Sequence, residues 1–345
     1  MRKPLQFKST KPNVSIFDVA ELAGLSTASV SRVINSPDST KEKTRIAVQN
    51  AVRQLGYIPN GAARALSSRN SKVIGAIIPT IDNSIFAQGI QALQSYLMGK
   101  GYYLLLGSSN YDPDQEFDLC RNFLVQQVAG IIMMGDTHHP ECVNMLAREE
   151  TPFVNTGTYS QDGAHCVGFD NAKAASRATR YLLDLGHTEF AMIAGVTKFN
   201  DRAINRVNGV KDELARSGVS LDESRIIERP YEIDAGGSAL KELMRQPAPP
   251  TAIICGNDVL ATGAILAAAR EGINIPDDVS IIGFDDLVIS RHLSPALTTI
   301  QIPTEEMWCR AADMLLDLLK GKDGPSAVEI DFSLIVREST APPRP

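Results

Sequence analysis

Val14-Ser15-Ile16-Phe17-Asp18-Val19-Ala20-Glu21-Leu22-Ala23-Gly24-Leu25-Ser26, continuing as Thr27-Ala28-Ser29-Val30-Ser31-Arg32-Val33-Ile34-Asn35, is the stretch on which the reading of this chain turns. Ser15 and Asp18 have the spacing of a capping box, and Ile16, Val19, Ala20 and Ala23 keep helical periodicity until Gly24 stops the helix. Ser26 can cap a second helix over residues 27–34, which buries Val30, Val33 and Ile34 and turns Thr27, Ala28, Ser31 and Arg32 outward. Two short helices joined by a glycine-containing turn form a helix-turn-helix pattern. A third helix is predicted downstream, with Thr40 as its cap, Ile46, Ala47, Ala51, Val52 and Leu55 as its packing stripe, and Gly56 as its end.

Charge is distributed unevenly around that stretch. Residues 1–72 carry a net charge of +8 and the remainder −14, so the overall −6 hides a basic head on an acidic body. Phosphate attraction is the sequence-independent part of nucleic-acid affinity, which makes the head a candidate DNA-binding module. Charge alone fits a solvated basic arm equally well. The length of 345 residues suits two or three domains, and 43% hydrophobic with 21% charged residues is an ordinary globular composition. No run approaches about 18 consecutive apolar residues, and the basic start is not followed by an apolar segment. The expectation is a cytoplasmic protein without a membrane partner. Cys120, Cys142, Cys166, Cys255 and Cys309 are scattered, odd in number and without a Cys-x-x-Cys pair, which predicts free thiols.

Beyond residue 72 the pattern changes. Apolar runs at 73–78, 102–106, 130–134, 189–194 and 279–284 alternate with helical stretches, and a further strand at 252–255 follows the proline-rich loop at 247–250. Runs apolar on both faces imply parallel sheets covered by helices, hence an α/β body of doubly wound sheets. Two such sheets in series, with the break near residues 167–171, leave a ligand cleft between them.

The same residues resemble the lactose and galactose repressor family over nearly the whole chain. The match is carried by 14–26, by Ser29-Val30-Ser31-Arg32-Val33-Ile34-Asn35 and by Leu55-Gly56-Tyr57-Ile58-Pro59-Asn60. Gly256-Asn257-Asp258, Ile282-Gly283-Phe284-Asp285-Asp286 and Pro295-Ala296-Leu297-Thr298-Thr299-Ile300 support it. The resemblance implies a helix-turn-helix domain over 1–59, a hinge over 60–72 and an effector-binding, dimerising body over 73–345 like a periplasmic binding protein. Its lobes would be about 73–170 with 301–330, and 171–300 with 331–345. Arg32 has the chemistry to donate two hydrogen bonds to a guanine edge. The resemblance adds Thr27 and Ala28 as base readers, and Ile16, Ser31, Asn35, Tyr57 and Asn60 at the DNA backbone or groove edge. For Ser31 and Asn35, capping and turn chemistry is the competing role. Residues 61–66 resemble the hinge helix, with Ala63 on the DNA and Leu66 either as a minor-groove wedge or packed on the body.

For the effector site the resemblance selects Asp285, Arg206 and Asn257, with Phe86 and Tyr231 as stacking faces and Asn83 nearby. A carboxylate accepting from vicinal hydroxyls while Arg and Asn donate is the vocabulary for a sugar-like ligand. Phe86 could equally be core, Asp258 a second acceptor or a helix cap, and Arg202 a ligand contact or a surface salt bridge. Many family members place an acid where this chain has Thr156-Gly157-Thr158. With Arg202 and Arg206 both present, that departure favours a sugar acid or sugar phosphate over a neutral hexose. The implied protein is a homodimeric regulator of carbohydrate metabolism that binds a pseudo-palindromic duplex operator, without cofactor or metal. Purine- or nucleoside-responsive regulation, or solute capture, are the alternatives. Glycine-rich nucleotide loops, a Gly-x-Ser-x-Gly elbow and a His-Glu-x-x-His pair are missing, which argues against an enzyme, and His138-His139 reads as a surface loop before Pro140. Residues 85–98 are the expected dimer helix, and the proline-rich stretch after Arg337 suits no coiled-coil tetramerisation helix.

Overall fold

A computed structural model describes residues 14–35, 39–58, 71–161 and 163–344. The chain divides between Ser71 and Lys72 into two compact units. Asn60, Ala63, Leu66 and the side chain of Asn35 lie outside what is described.

The first unit contains helices α1 (Ile16–Ala23), α2 (Thr27–Asn35) and α3 (Glu42–Leu55). Ser15 accepts from the Asp18 amide while the Asp18 carboxylate receives the Ser15 amide at 2.7 Å, completing the capping box, and Gly24 closes α1 in the left-handed conformation. The Ser29 amide donates to Ser26 Oγ at 3.2 Å at the start of α2. Val19, Ala20, Val30, Val33, Val48 and Ala51 form the small core, with Val52 and Leu55 against it. Two expectations for α3 are corrected. Its N-cap is Lys41, without a side-chain cap, and Ile46 is exposed while Val48 is buried in its place. Ala51, Val52 and Leu55 of the predicted stripe do pack on the core, and Ile46 falls outside it because, two residues before Val48, it lies about 160° around the helix from that side chain.

In the second unit, each of two sheets has six strands. The first runs β2 (Tyr103–Ser108), β1 (Val73–Ile78), β3 (Gly130–Met134), β4 (Phe153–Thr156), β5 (Cys166–Gly168), β11 (Ala327–Glu329). The second runs β7 (Ile226–Arg229), β6 (Phe190–Gly195), β8 (Ala252–Cys255), β9 (Ser280–Asp285), β10 (Thr298–Gln301), β12 (Ser333–Ile335). All pairings are parallel except that of β10 with β12. The helices between them are α4 (Ser84–Gly99), α5 (Pro113–Val125), α6 (Pro140–Arg148), α7 (Asn171–Asp184), α8 (Asp201–Arg216), α9 (Ile233–Met244), α10 (Asp258–Glu271) and α11 (Thr304–Leu318).

The chain crosses from the first lobe to the second after β5, returns after β10 so that α11 packs on α4 and on β3 to β5, and crosses again after β11. Ile74, Leu93, Ile132 and Trp308 of the first lobe and Phe190, Met192 and Phe284 of the second are buried in one continuous core cluster. Strands such as β3 and β6 are buried at every position, as two-sided helix cover requires.

Two further expectations are overturned. Cys120 of α5 and Cys142 of α6, both wholly buried, form a disulfide, leaving Cys166, Cys255 and Cys309 free. Spacing along the chain gives no hint of this pair, because it is the crossover through β3 that sets α5 beside α6. His138 is buried rather than on a surface loop: Nδ1 lies 3.1 Å from Glu116 and Nε2 lies 3.1 Å from Asn155 Oδ1, while His139 caps α6. Among the described residues no helix is long and apolar enough to cross a membrane.

Candidate functional site

The outward face of α2 is the first candidate. Ala28 and Arg32 are exposed, and Thr27 and Ser31 are half-buried, because Val30 and Val33 occupy the opposite face in the core. Ile16 and Tyr57 are half-buried against that core, so each has a packing role whatever else it touches.

The second candidate lies between the lobes of the body. It is a cavity of about 60 Å³ into which Arg202, Arg206, Tyr231, Asn257 and Asp285 from the second lobe and Asn83, Phe86, Tyr111 and Trp308 from the first all project. Arg206, on the first half of α8, is buried and fully engaged. Its Nε donates to Asn171 Oδ1 at 2.9 Å, Nη1 donates to the Gly256 carbonyl at 2.6 Å, Nη2 lies 3.8 Å from Asp285, and the guanidinium stacks 3.7 Å from the centroid of Phe284. Such a group has little freedom left, which is how an ion is held in place for a ligand.

Asp285 ends β9 with φ of +112°, and Asp286 follows at +55°, a strained corner that turns the first carboxylate inward and the second toward Arg337, 2.6 Å away. Burial pushes the Asp285 carboxyl up to about 7, against the opposing pull of Arg206 and with a further push from Asp258. Asn257, not Asp258, is the N-cap of α10: its Oδ1 accepts from the Leu260 amide at 3.0 Å. That bond fixes the amide so that Nδ2 is left buried without a partner, an expensive donor unless a ligand takes it.

Asp258 is neither a cap nor a lining residue. Its carboxylate accepts from the Leu287 amide, Ser290 and Thr299 at 2.8, 2.5 and 2.6 Å, tying α10 to the loop after β9 and to β10. Burial raises its carboxyl to about 6 in spite of those donors. Asn83 caps α4 and lines the cavity as well, and Phe86 is both core and lining. The hydroxyl end of the Tyr231 ring packs on Gly195, where a Cβ would collide with it.

Arg202 is buried rather than at the surface, and it pairs with its neighbour Asp201 at 2.6 Å. Both belong to the first turn of α8 in the second lobe, yet they reach the first. Asp201 Oδ2 accepts from the Asp136 amide at 2.9 Å and from Thr158 Oγ1 at 3.1 Å, and a Cβ on Gly135 would collide with the Arg202 guanidinium. Burial raises the Asp136 carboxyl, helped by Asp201. Burial acts on Asp201 in the same direction but is outweighed by Arg202 and the donors from the first lobe, so this carboxyl titrates low. Asp201 thus brings a carboxylate from the second lobe against the Thr156-Gly157-Thr158 loop of the first.

Two residues escaped the sequence reading. Asp201 was masked by its arginine neighbour, and Tyr111, in the loop after β2, shows no periodic signal; its unusual φ of +59° is visible only in the fold.

Comparison with known proteins agrees with this architecture. The pattern of bacterial regulatory proteins of the lacI family matches residues 15–60, and that of the periplasmic binding protein-like domain matches 179–340. Catabolite control protein A of Priestia megaterium is 34% identical over 330 residues, covering 95% of this chain and 99% of that protein. The repressor CytR of Escherichia coli K12 is 31% identical over 338 residues, covering 97% and 99%. The lac repressor dimer bound to operator and an anti-inducer aligns with a TM-score of 0.86 at 26% identity, over 96% of this chain and all of that one. With a helix-turn-helix head, a two-lobed binding body and relatives of this identity along almost its full length, the chain belongs to the lacI family of bacterial regulatory proteins and is a DNA-binding transcriptional regulator, not an enzyme.

Proposed function

We propose that this regulator is a homodimeric repressor of carbohydrate metabolism. It reads a pseudo-palindromic operator through Thr27, Ala28 and Arg32 of α2, and a sugar-like effector closes its lobes. Leu66 and Ala63 enter this reading on the resemblance alone, as residues of a hinge that orders on DNA. The observation that carries the effector assignment is the buried Arg206–Asp285 pair beside the orphaned Asn257 Nδ2, within an aromatic wall. One carboxylate accepts from adjacent hydroxyls, one amide donates, and Phe86, Tyr231 and Trp308 offer apolar faces to a pyranose ring.

Both guanidinium groups already have carboxylate partners, Arg202 in Asp201 and Arg206 in Asp285, so the balance of charge favours a neutral sugar over a sugar acid or sugar phosphate. The aromatic wall supports a purine nucleoside as the second reading. Calorimetric titration with hexoses, pentoses, their acids and phosphates, and nucleosides separates these. Tightest binding by a sugar supports the proposal, and binding by nucleosides alone overturns it. Fluorescence anisotropy on genomic operator fragments at rising salt tests the head, where site-specific affinity should fall steeply as the entropy gained by releasing phosphate counterions shrinks.

A further inference from the structure

The inner cavity is small. At about 60 Å³ it is well below the roughly 300–1,000 Å³ usual for ligand pockets, and a neighbouring cavity of about 400 Å³ shares Tyr111, Met134 and Arg202 with it. We propose that this neighbour is a second ligand compartment, which takes the outer unit of a two-unit, hydroxyl-rich effector such as a disaccharide. The proposal rests on the sugar reading of the inner site.

Position in the fold is the first argument. In the order β2-β1-β3-β4-β5 the strand sequence reverses between β1 and β3, and the compartment sits at the carboxyl ends of these two strands, against Ile78 and Pro79 of one and Met134 of the other. Open α/β sheets bind ligands at that switch point, because the diverging connections leave a crevice there.

Polarity is the second. The amino-terminal ends of α5 and α6 both adjoin the compartment, and an uncapped pair would attract phosphate. Here they are occupied from within. Asp112 accepts from the Asp114 and Gln115 amides, and Glu116 accepts from the His139 amide at 3.2 Å while also holding His138. With these carboxylates in the wall an anionic group is repelled, whereas hydroxyls find acceptors.

The third argument is aromatic. Phe199 is 51% exposed on the compartment wall, and it and Tyr111 both adopt left-handed backbone conformations, at φ of +57° and +59°. Bulky residues rarely adopt that region and persist there only where the surrounding structure holds them. An exposed, pre-positioned ring is a stacking face for a sugar, and Tyr111, Met134 and Arg202, common to both cavities, are the side chains between which a ligand spanning them must pass.

The test uses the full-length protein and calorimetry with glucose, galactose, xylose, cellobiose, lactose, maltose and melibiose. The best disaccharide should bind at least tenfold more tightly than either of its component monosaccharides. Phe199→Ala should cut that preference below threefold while leaving monosaccharide affinity within twofold. Equal affinity for disaccharide and monosaccharide in the unaltered protein overturns the second compartment but leaves the inner site standing. Glu232 lines a separate cavity of about 380 Å³ with Asn83 and Tyr231, and selective loss in Glu232→Ala with no effect of Phe199→Ala also overturns the proposal. Failure of every sugar to bind defeats the sugar reading itself and this proposal with it.

Discussion

Asp285 shows how one side chain carries more than one consequence. Its carboxyl titrates near 7 because burial disfavours the charge, so between about pH 4 and pH 7 the folded chain holds a proton that the unfolded chain has lost. The stabilising contribution is present at the acid end of that window and disappears as pH rises through 7, and Asp258 acts in the same direction near 6. Melting temperature should therefore fall by at least about 2 °C from pH 5 to pH 8, and Asp285→Asn should flatten the slope. The ionised form is the better acceptor of sugar hydroxyls, so effector affinity in calorimetry should rise over the same interval and be lost in the variant, with operator binding retained. A pH-independent effector affinity would remove Asp285 from the site. Arg32 poses the matching question for DNA. Arg32→Ala should relax preference at one position of each half-site by about 1–3 kcal/mol in a binding-site selection, while unaltered specificity would exclude base reading.

Among the elements, α8 stands out. Its first turn belongs to the second lobe, yet Asp201 receives hydrogen bonds from both Asp136 and Thr158 of the first, so the helix end acts as a clasp across the cleft. Replacing that acceptor weakens both bonds and leaves Arg202 buried without its carboxylate, a loss that typically costs about 3–5 kcal/mol in a buried pair. Asp201→Asn should lower effector affinity at least tenfold and enlarge the radius of gyration in small-angle scattering. If both stay as in the parent protein, closure depends on other contacts. Helix identity was readable along the chain wherever a cap and a periodic stripe coincided, as in α1 with Ser15 and Gly24. Where the cap has no side-chain signature, as at Lys41, the start is displaced by one residue, and Ile46, apolar yet exposed, carries no local sign of which face it occupies.

For the whole molecule, the proposed function makes lobe closure and operator binding two readouts of one equilibrium. An effector that alters operator affinity by some factor must have its own affinity altered by the same factor when operator is bound. Calorimetry with and without a saturating operator duplex, set against anisotropy with and without effector, should return equal ratios. The common ratio should be at least about fivefold, and a ratio of one in both measurements would show that the cleft and the head are not coupled. The sign of coupling depends only on which lobe arrangement the effector prefers.

Local information determined the helix-turn-helix and the alternation of buried strands with helices, since caps, turns and apolar periodicity act over a few residues, whereas Arg206, Asn257 and Asp285 were singled out as candidates by resemblance. Tertiary structure alone decided what surrounds them: that Asp258 is consumed in holding α10 to β10, that Asp201 meets Thr158 of the facing lobe, that Cys120 meets Cys142, and that Tyr111 lines two cavities. Each of these depends on contacts between segments distant in sequence, brought together by the crossovers that place strand ends and helix starts around one cleft. Burial and partner geometry, which fix charge state and hydrogen-bond use, exist only once those crossovers are made.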